Sequence, residues 1–122
     1  GCGSGILGIA AARLGAGHVL GVDIDEKAVE AAQDNARRNR VDMQVQHSGK
    51  TLNETFDIVV ANILTNPLCV LAPAIASRIA QGGRVALSGV LEQQADQVIE
   101  AWAPYARLHV GATLDGWVRL EG

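Results

Sequence analysis

The sequence predicts an α/β domain, a largely parallel sheet with crossover helices, closed at its C-terminal end by an antiparallel hairpin. Three observations carry this. A glycine turn, "GCGSG", feeds directly into a helical run. Compact apolar runs suited to buried strands then alternate with helical stretches. Finally, two strand-like runs flank "LDG", a hairpin signal.

In chain order, "ILGIAAARLGAG" places Ile6, Leu7, Ile9, Ala10 and Leu14 in a helical pattern that ends at Gly15 and Gly17. "HVLGVD" is too short for a helix and reads as a buried strand with an acid, Asp23, at its carboxyl end. "DEKAVEAAQDNARRNR" sets Ala28, Val29, Ala32 and Ala36 on one face, with acids in the first turn and arginines in the last, as the helix dipole favours. "MQVQH" alternates as a strand does, and "FDIVVANIL" suits the middle of a parallel sheet.

Asn66 is expected to cap a helix whose first residue is Pro67, running through "LCVLAPAIASRIA" to Gly82 and Gly83, with Pro73 kinking or splitting it. "RVALSGV" follows as a strand. "LEQQADQVIEAWA" then sets Leu91, Ala95, Val98, Ile99 and Trp102 on one helical face. "YARLHVGATLDGWVRLEG" completes the chain as the hairpin.

The 122 residues suit one domain or part of one, and 48% hydrophobic content is enough for a core. A net charge of −3 argues against tight nonspecific binding to nucleic acid. No apolar run reaches the length of a membrane span. Cys2 and Cys69 do not have a metal-ligand spacing, and His18, His47 and His109 are scattered, so no metal site is expected and a reducing cytoplasm is the default.

The turn raises the question of a ligand. Glycines at Gly1, Gly3 and Gly5 leave room for close backbone approach at a helix amino terminus, and Asp23 at the next strand end suits a ribose diol. "GSGILG" also satisfies the dinucleotide pattern through Gly3, Gly5 and Gly8. The first 25 residues therefore leave NAD and S-adenosylmethionine both open.

The later segments favour the second. An asparagine, Asn62, ends the "FDIVVAN" strand, and with the terminal hairpin this is the arrangement expected of a class I S-adenosylmethionine methyltransferase. "GCGSGILGIAAARLGAGHVLGVDID", "FDIVVANIL", "LSGVLEQQADQVIEAW" and "GWVRL" together resemble the catalytic domain of the ribosomal protein L-eleven methyltransferase (PrmA) family. "ANIL" in place of the "NPPY" of glutamine and adenine-amine methyltransferases narrows the match.

The resemblance implies a class I, Rossmann-like methyltransferase sheet whose first strand is missing, expected upstream of Gly1. Residues 1–122 would be a partial methyltransferase domain, without the family's N-terminal substrate-recognition domain. It implies S-adenosyl-L-methionine as methyl donor and N-methylation of lysine and N-terminal amino groups of a large-subunit ribosomal protein. The expected protein is a cytoplasmic monomer with no direct nucleic-acid or membrane partner. Cofactor contacts carried over from the family fall on Gly1, Asp23 and Asn62, the last also a candidate catalytic residue. An RNA or small-molecule methyltransferase of the same fold, or an NAD-binding oxidoreductase domain, is the alternative.

Other residues carry more ordinary expectations. Gly8 serves helix-to-sheet packing, Cys2 fills the turn, and Trp102 is core. Arg37, Arg38 and Arg40 form a solvated helix end. Asp25 fits either a helix N-cap or a second cofactor contact, and Ser48 and Gly49 either an adenine contact or a plain loop. Trp117 either lines the rim of the site or packs the hairpin, while Ile63 and Leu64 suggest a flexible aliphatic amine as substrate.

Overall fold

The computed structural model describes residues 1–48 and 53–122, which form two compact units, one up to Ser48 and one from Asn53.

The first unit holds α1 (Ile6–Arg13), β1 (Leu20–Asp23), α2 (Glu26–Arg38) and β2 (Gln44–His47). β1 and β2 pair in parallel, Leu20 opposite Gln44 and Asp23 opposite His47. α2 starts where the Asp25 side chain accepts the Lys27 N–H at 3.0 Å, which settles Asp25 as its N-cap. Ala32 and Ala36 are its buried residues, as the pattern predicts. α1 forms where expected, but its apolar residues are not core: Ile6 is 69% exposed and Leu14 87%. Its close packing comes through Gly8. A methyl there would collide with the Met43 thioether end and stand 3.3 Å from Val19 Cγ1, in keeping with a packing role for that glycine.

The second unit holds β3 (Phe56–Asn62), α3 (Thr65–Val70), α4 (Ala72–Ala76), β4 (Ile79–Leu91), a 3-10 turn (Glu92–Gln94), α5 (Ala95–Trp102), β5 (His109–Leu114) and β6 (Trp117–Glu121). Its sheet runs β3-β4-β6-β5, with β3 parallel to β4 and the other neighbours antiparallel. β5 and β6 form the expected hairpin, and Asp115 (φ 51°) and Gly116 (φ 82°) both take the left-handed conformation of a two-residue turn. The core lies between β4, β6 and the helices. Trp102 is fully buried there and donates its indole N–H to the Leu68 carbonyl at 3.1 Å. Burial of a side chain this size contributes about 3 kcal/mol.

Several boundaries differ from the sequence reading. Leu64, extended at φ −69° and ψ 162°, is the N-cap of α3, so Thr65 starts the helix and Asn66 lies inside its first turn. Pro67 is tolerated there because first-turn N–H groups need no helical partner. Pro73 does split the segment, falling near the start of α4 after a break at Leu71.

That helix does not reach Gly82. It ends at Ala76, and β4 begins at Ile79, because Phe56 N–H takes the Arg78 carbonyl at 2.7 Å and starts the β3–β4 pairing early. Gly82, at φ 77°, absorbs the register shift that follows. Leu91 consequently closes β4 instead of joining the face of α5. β3 is an edge strand of its four-stranded sheet, with Ile58 68% exposed.

Candidate cofactor site

The glycine turn is fixed by three backbone hydrogen bonds. Cys2 N–H donates to the Val22 carbonyl at 2.9 Å, the Gly1 nitrogen donates to the same oxygen at 2.7 Å, and Gly5 N–H closes the turn on the Cys2 carbonyl at 2.9 Å. Gly3 at φ 54° and Gly5 at φ 85° sit where a side chain is strained. Gly5 has a second reason to be glycine: an added Cβ would stand 3.0 Å from Ala32 Cβ, so α2 packs directly on the turn. At Gly3, by contrast, nothing lies within 4 Å of where a Cβ would be, so the space on that side of the turn is open.

Asp23 joins this turn to the loop that follows β1. The residue is 7% exposed, and its Oδ2 accepts the Gly3 N–H at 2.9 Å while Oδ1 accepts the Asp25 N–H at 2.9 Å. Burial pushes the carboxyl up. The Asp25 and Gly3 N–H groups pull the other way, and the carboxyl stands below its ordinary value. An ionised carboxylate has about four acceptor positions, so each oxygen keeps one for a further donor. A vicinal diol, with two hydroxyl donors, fits what remains.

Three neighbours steady this arrangement, and of these only Ser48 carries an expectation from the sequence. Asn35 Nδ2 donates to the Ser4 carbonyl at 2.9 Å, tying α2 to the turn. His47 Nε2 donates to the Ile24 carbonyl at 2.6 Å, which fixes the ring's hydrogen on that nitrogen, and Ser48 N–H donates to the Asp23 carbonyl at 2.9 Å. The parallel register of β1 and β2 brings them there, and an "H-S" after a strand carries no local signal of it. Gly49 lies outside the described residues.

Cys2 packs beside Gly21, whose added Cβ would be 3.3 Å from Cys2 Cβ. Burial pushes its thiol up and the Asp23 carboxylate pushes it further the same way, so it stays a filler and not a nucleophile. The basic residues are elsewhere. Arg13 and Arg40 line an open groove of about 600 Å³ where α1 and α2 end, at the far end of α1 from the glycine turn. Arg37 is engaged with Asp34.

In the second unit, Asn62 is the exposed last residue of β3, paired with Ser88 of β4. Gly89 follows Ser88 at the point where β4 passes the end of β3. At φ 88°, an added Cβ would collide with the Ile63 carbonyl and stand 3.1 Å from Asn62 Oδ1. A glycine inside a strand pattern is the available signal of such close approach. Thr65, 4% exposed, donates its hydroxyl to Gln94 Oε1 at 2.8 Å, a bond between residues 29 apart that no local motif announces. Trp117 is 47% exposed, opposite Leu91 on one side and Leu114 on the other.

The family model described as ribosomal protein L11 methyltransferase (PrmA) matches residues 1–122. The chain is 55% identical over its whole length to a ribosomal protein L11 methyltransferase of Dechloromonas aromatica and 53% identical to one of Bordetella parapertussis. It spans 41% and 40% of those relatives' lengths. Among solved structures, a ribosomal protein L11 methylase of Lactobacillus delbrueckii subsp. bulgaricus superimposes with a TM-score of 0.90 at 34% identity, over 99% of this chain and 65% of that one.

Proposed function

The chain belongs to the ribosomal protein L11 methyltransferase (PrmA) family, and from that premise we propose that it is part of a cytoplasmic, S-adenosyl-L-methionine-dependent protein methyltransferase acting on a ribosomal protein of the large subunit. Its acceptors are lysine and N-terminal amino groups of ribosomal protein L11. The observation that carries the reading is the Asp23 carboxylate, ionised, buried and bonded to Gly3 N–H at 2.9 Å, beside the open side of the glycine turn.

In this reading Asp23 accepts both ribose hydroxyls on the acceptor positions its backbone bonds leave free. Gly1, Gly3 and Gly5 let the methionine part approach the backbone. Asn62 contributes its side-chain amide or carbonyl where the methyl group moves.

The cofactor supplies a methyl group on a sulfonium. The acceptor ammonium first loses a proton to water. Its nitrogen lone pair then forms the N–C bond while the C–S pair goes to sulfur, so the residues' main task is alignment, and a desolvated site eases the deprotonation. The test is to incubate the full-length protein with S-adenosylmethionine and the isolated ribosomal protein, then map the product by mass spectrometry. Methyl groups on lysine and the amino terminus are expected. Transfer to ribosomal RNA, or to neither, contradicts the reading.

A further inference from the structure

Asn62, Ile63 and Leu64 connect β3 to α3, and two unrelated features hold this short segment from opposite ends. At the Asn62 end β4 comes so near that residue 89 can only be glycine, since a side chain there would strike the Ile63 carbonyl. At the Leu64 end the helix has no side-chain cap of its own. Its entry is fixed from a distance: Thr65 Oγ1 donates to Gln94 Oε1 at 2.8 Å, and the same oxygen accepts the Leu91 N–H at 3.3 Å.

One amide oxygen therefore links the start of α3 to the end of β4. Thr65 and Asp23 are the buried polar residues among those described. A hydroxyl so removed from water is held firmly to its partner, because breaking the bond leaves it unsatisfied in a medium of low dielectric. The bond thus makes other conformations of the segment before Thr65 costly.

We infer that Thr65 and Gln94 are positioning residues for methyl transfer, a latch that keeps Asn62, Ile63 and Leu64 in one conformation. The inference rests on the methyltransferase reading. An attacking amine needs its acceptor groups fixed to within a fraction of an ångström, and misplacement of about 1 Å costs as much as about a hundredfold in rate. The latch therefore acts on the transfer step through Asn62 and its neighbours, without touching the substrate.

The experiment compares wild type, Thr65→Val, Thr65→Ser and Gln94→Leu in the full-length protein. Thr65→Val keeps the shape and removes the donor. It should lower kcat at least about tenfold, with a much smaller change in KM for S-adenosylmethionine, and Thr65→Ser should restore it. Amide hydrogen exchange of residues 62–66, measured without ligand, should quicken in Thr65→Val and Gln94→Leu and stay at the wild-type rate in Thr65→Ser.

Unchanged exchange in both Thr65→Val and Gln94→Leu overturns the latch, as does an unchanged kcat. A loss of activity that Thr65→Ser shares, and that follows the unfolding midpoint, shows a structural role only and overturns it as well. If wild type transfers no methyl group, the function reading fails, while the exchange measurement still decides the latch.

Discussion

Asp23 concentrates the electrostatics of the first unit in one carboxylate. Because its folded-state pKa lies below the ordinary carboxylate value of about 3.9, its ionised form favours the folded state. The contribution is present above the unfolded value and is lost as pH falls through the lower folded one. Urea unfolding followed from about pH 5 to about pH 3 should therefore show wild type losing its advantage over Asp23→Asn across that window. A constant difference between the two would contradict the assignment. The acid itself was legible in the sequence, since a carboxylate at a strand end after a glycine turn has few other uses. Its bond to Gly3 was not, because nothing local says which backbone N–H will turn toward it.

At the scale of elements, the seam between the glycine turn and α2 depends on two residues 27 positions apart, Gly5 and Ala32, one lacking a side chain and the other fully buried. Gly5→Ala places a methyl in a left-handed backbone and 3.0 Å from Ala32 Cβ, so it should cost about 1–3 kcal/mol in thermal or denaturant unfolding. A loss below about 0.5 kcal/mol would show the seam to be loose. The α2 pattern read correctly because its small residues recur at helical spacing. The α3–α4 region read correctly only in part. Proline announced the break, but β4 began early through a long-range bond from Phe56 that the run "IAQGG" does not advertise.

Across the whole chain, the class of fold was visible because each strand-like run was compact and bounded, and because the "LDG" turn changed the last connection from a crossover to a hairpin. The family was legible for a different reason: several specific motifs recur in one order over all 122 residues, and the family model covers the same span. Asp23 and Asn62, the residues proposed as cofactor contacts, end β1 and β3, each at the carboxyl end of a strand in a parallel pair. Asn35, His47, Gly89 and Gln94 escaped notice. Each acts across a register or a packed turn, and sequence periodicity reports which face a residue occupies but not whom it meets there.

The central claim is that the Asp23 carboxylate and the glycine turn hold S-adenosylmethionine. Calorimetric titration of the full-length protein with S-adenosylhomocysteine, and separately with NADH, tests it most directly. The account expects S-adenosylhomocysteine to bind, NADH not to, and Asp23→Asn to weaken binding by about tenfold or more, the loss of a charge-assisted hydrogen bond. Binding of NADH instead, or an affinity for S-adenosylhomocysteine that Asp23→Asn leaves unchanged, would contradict it.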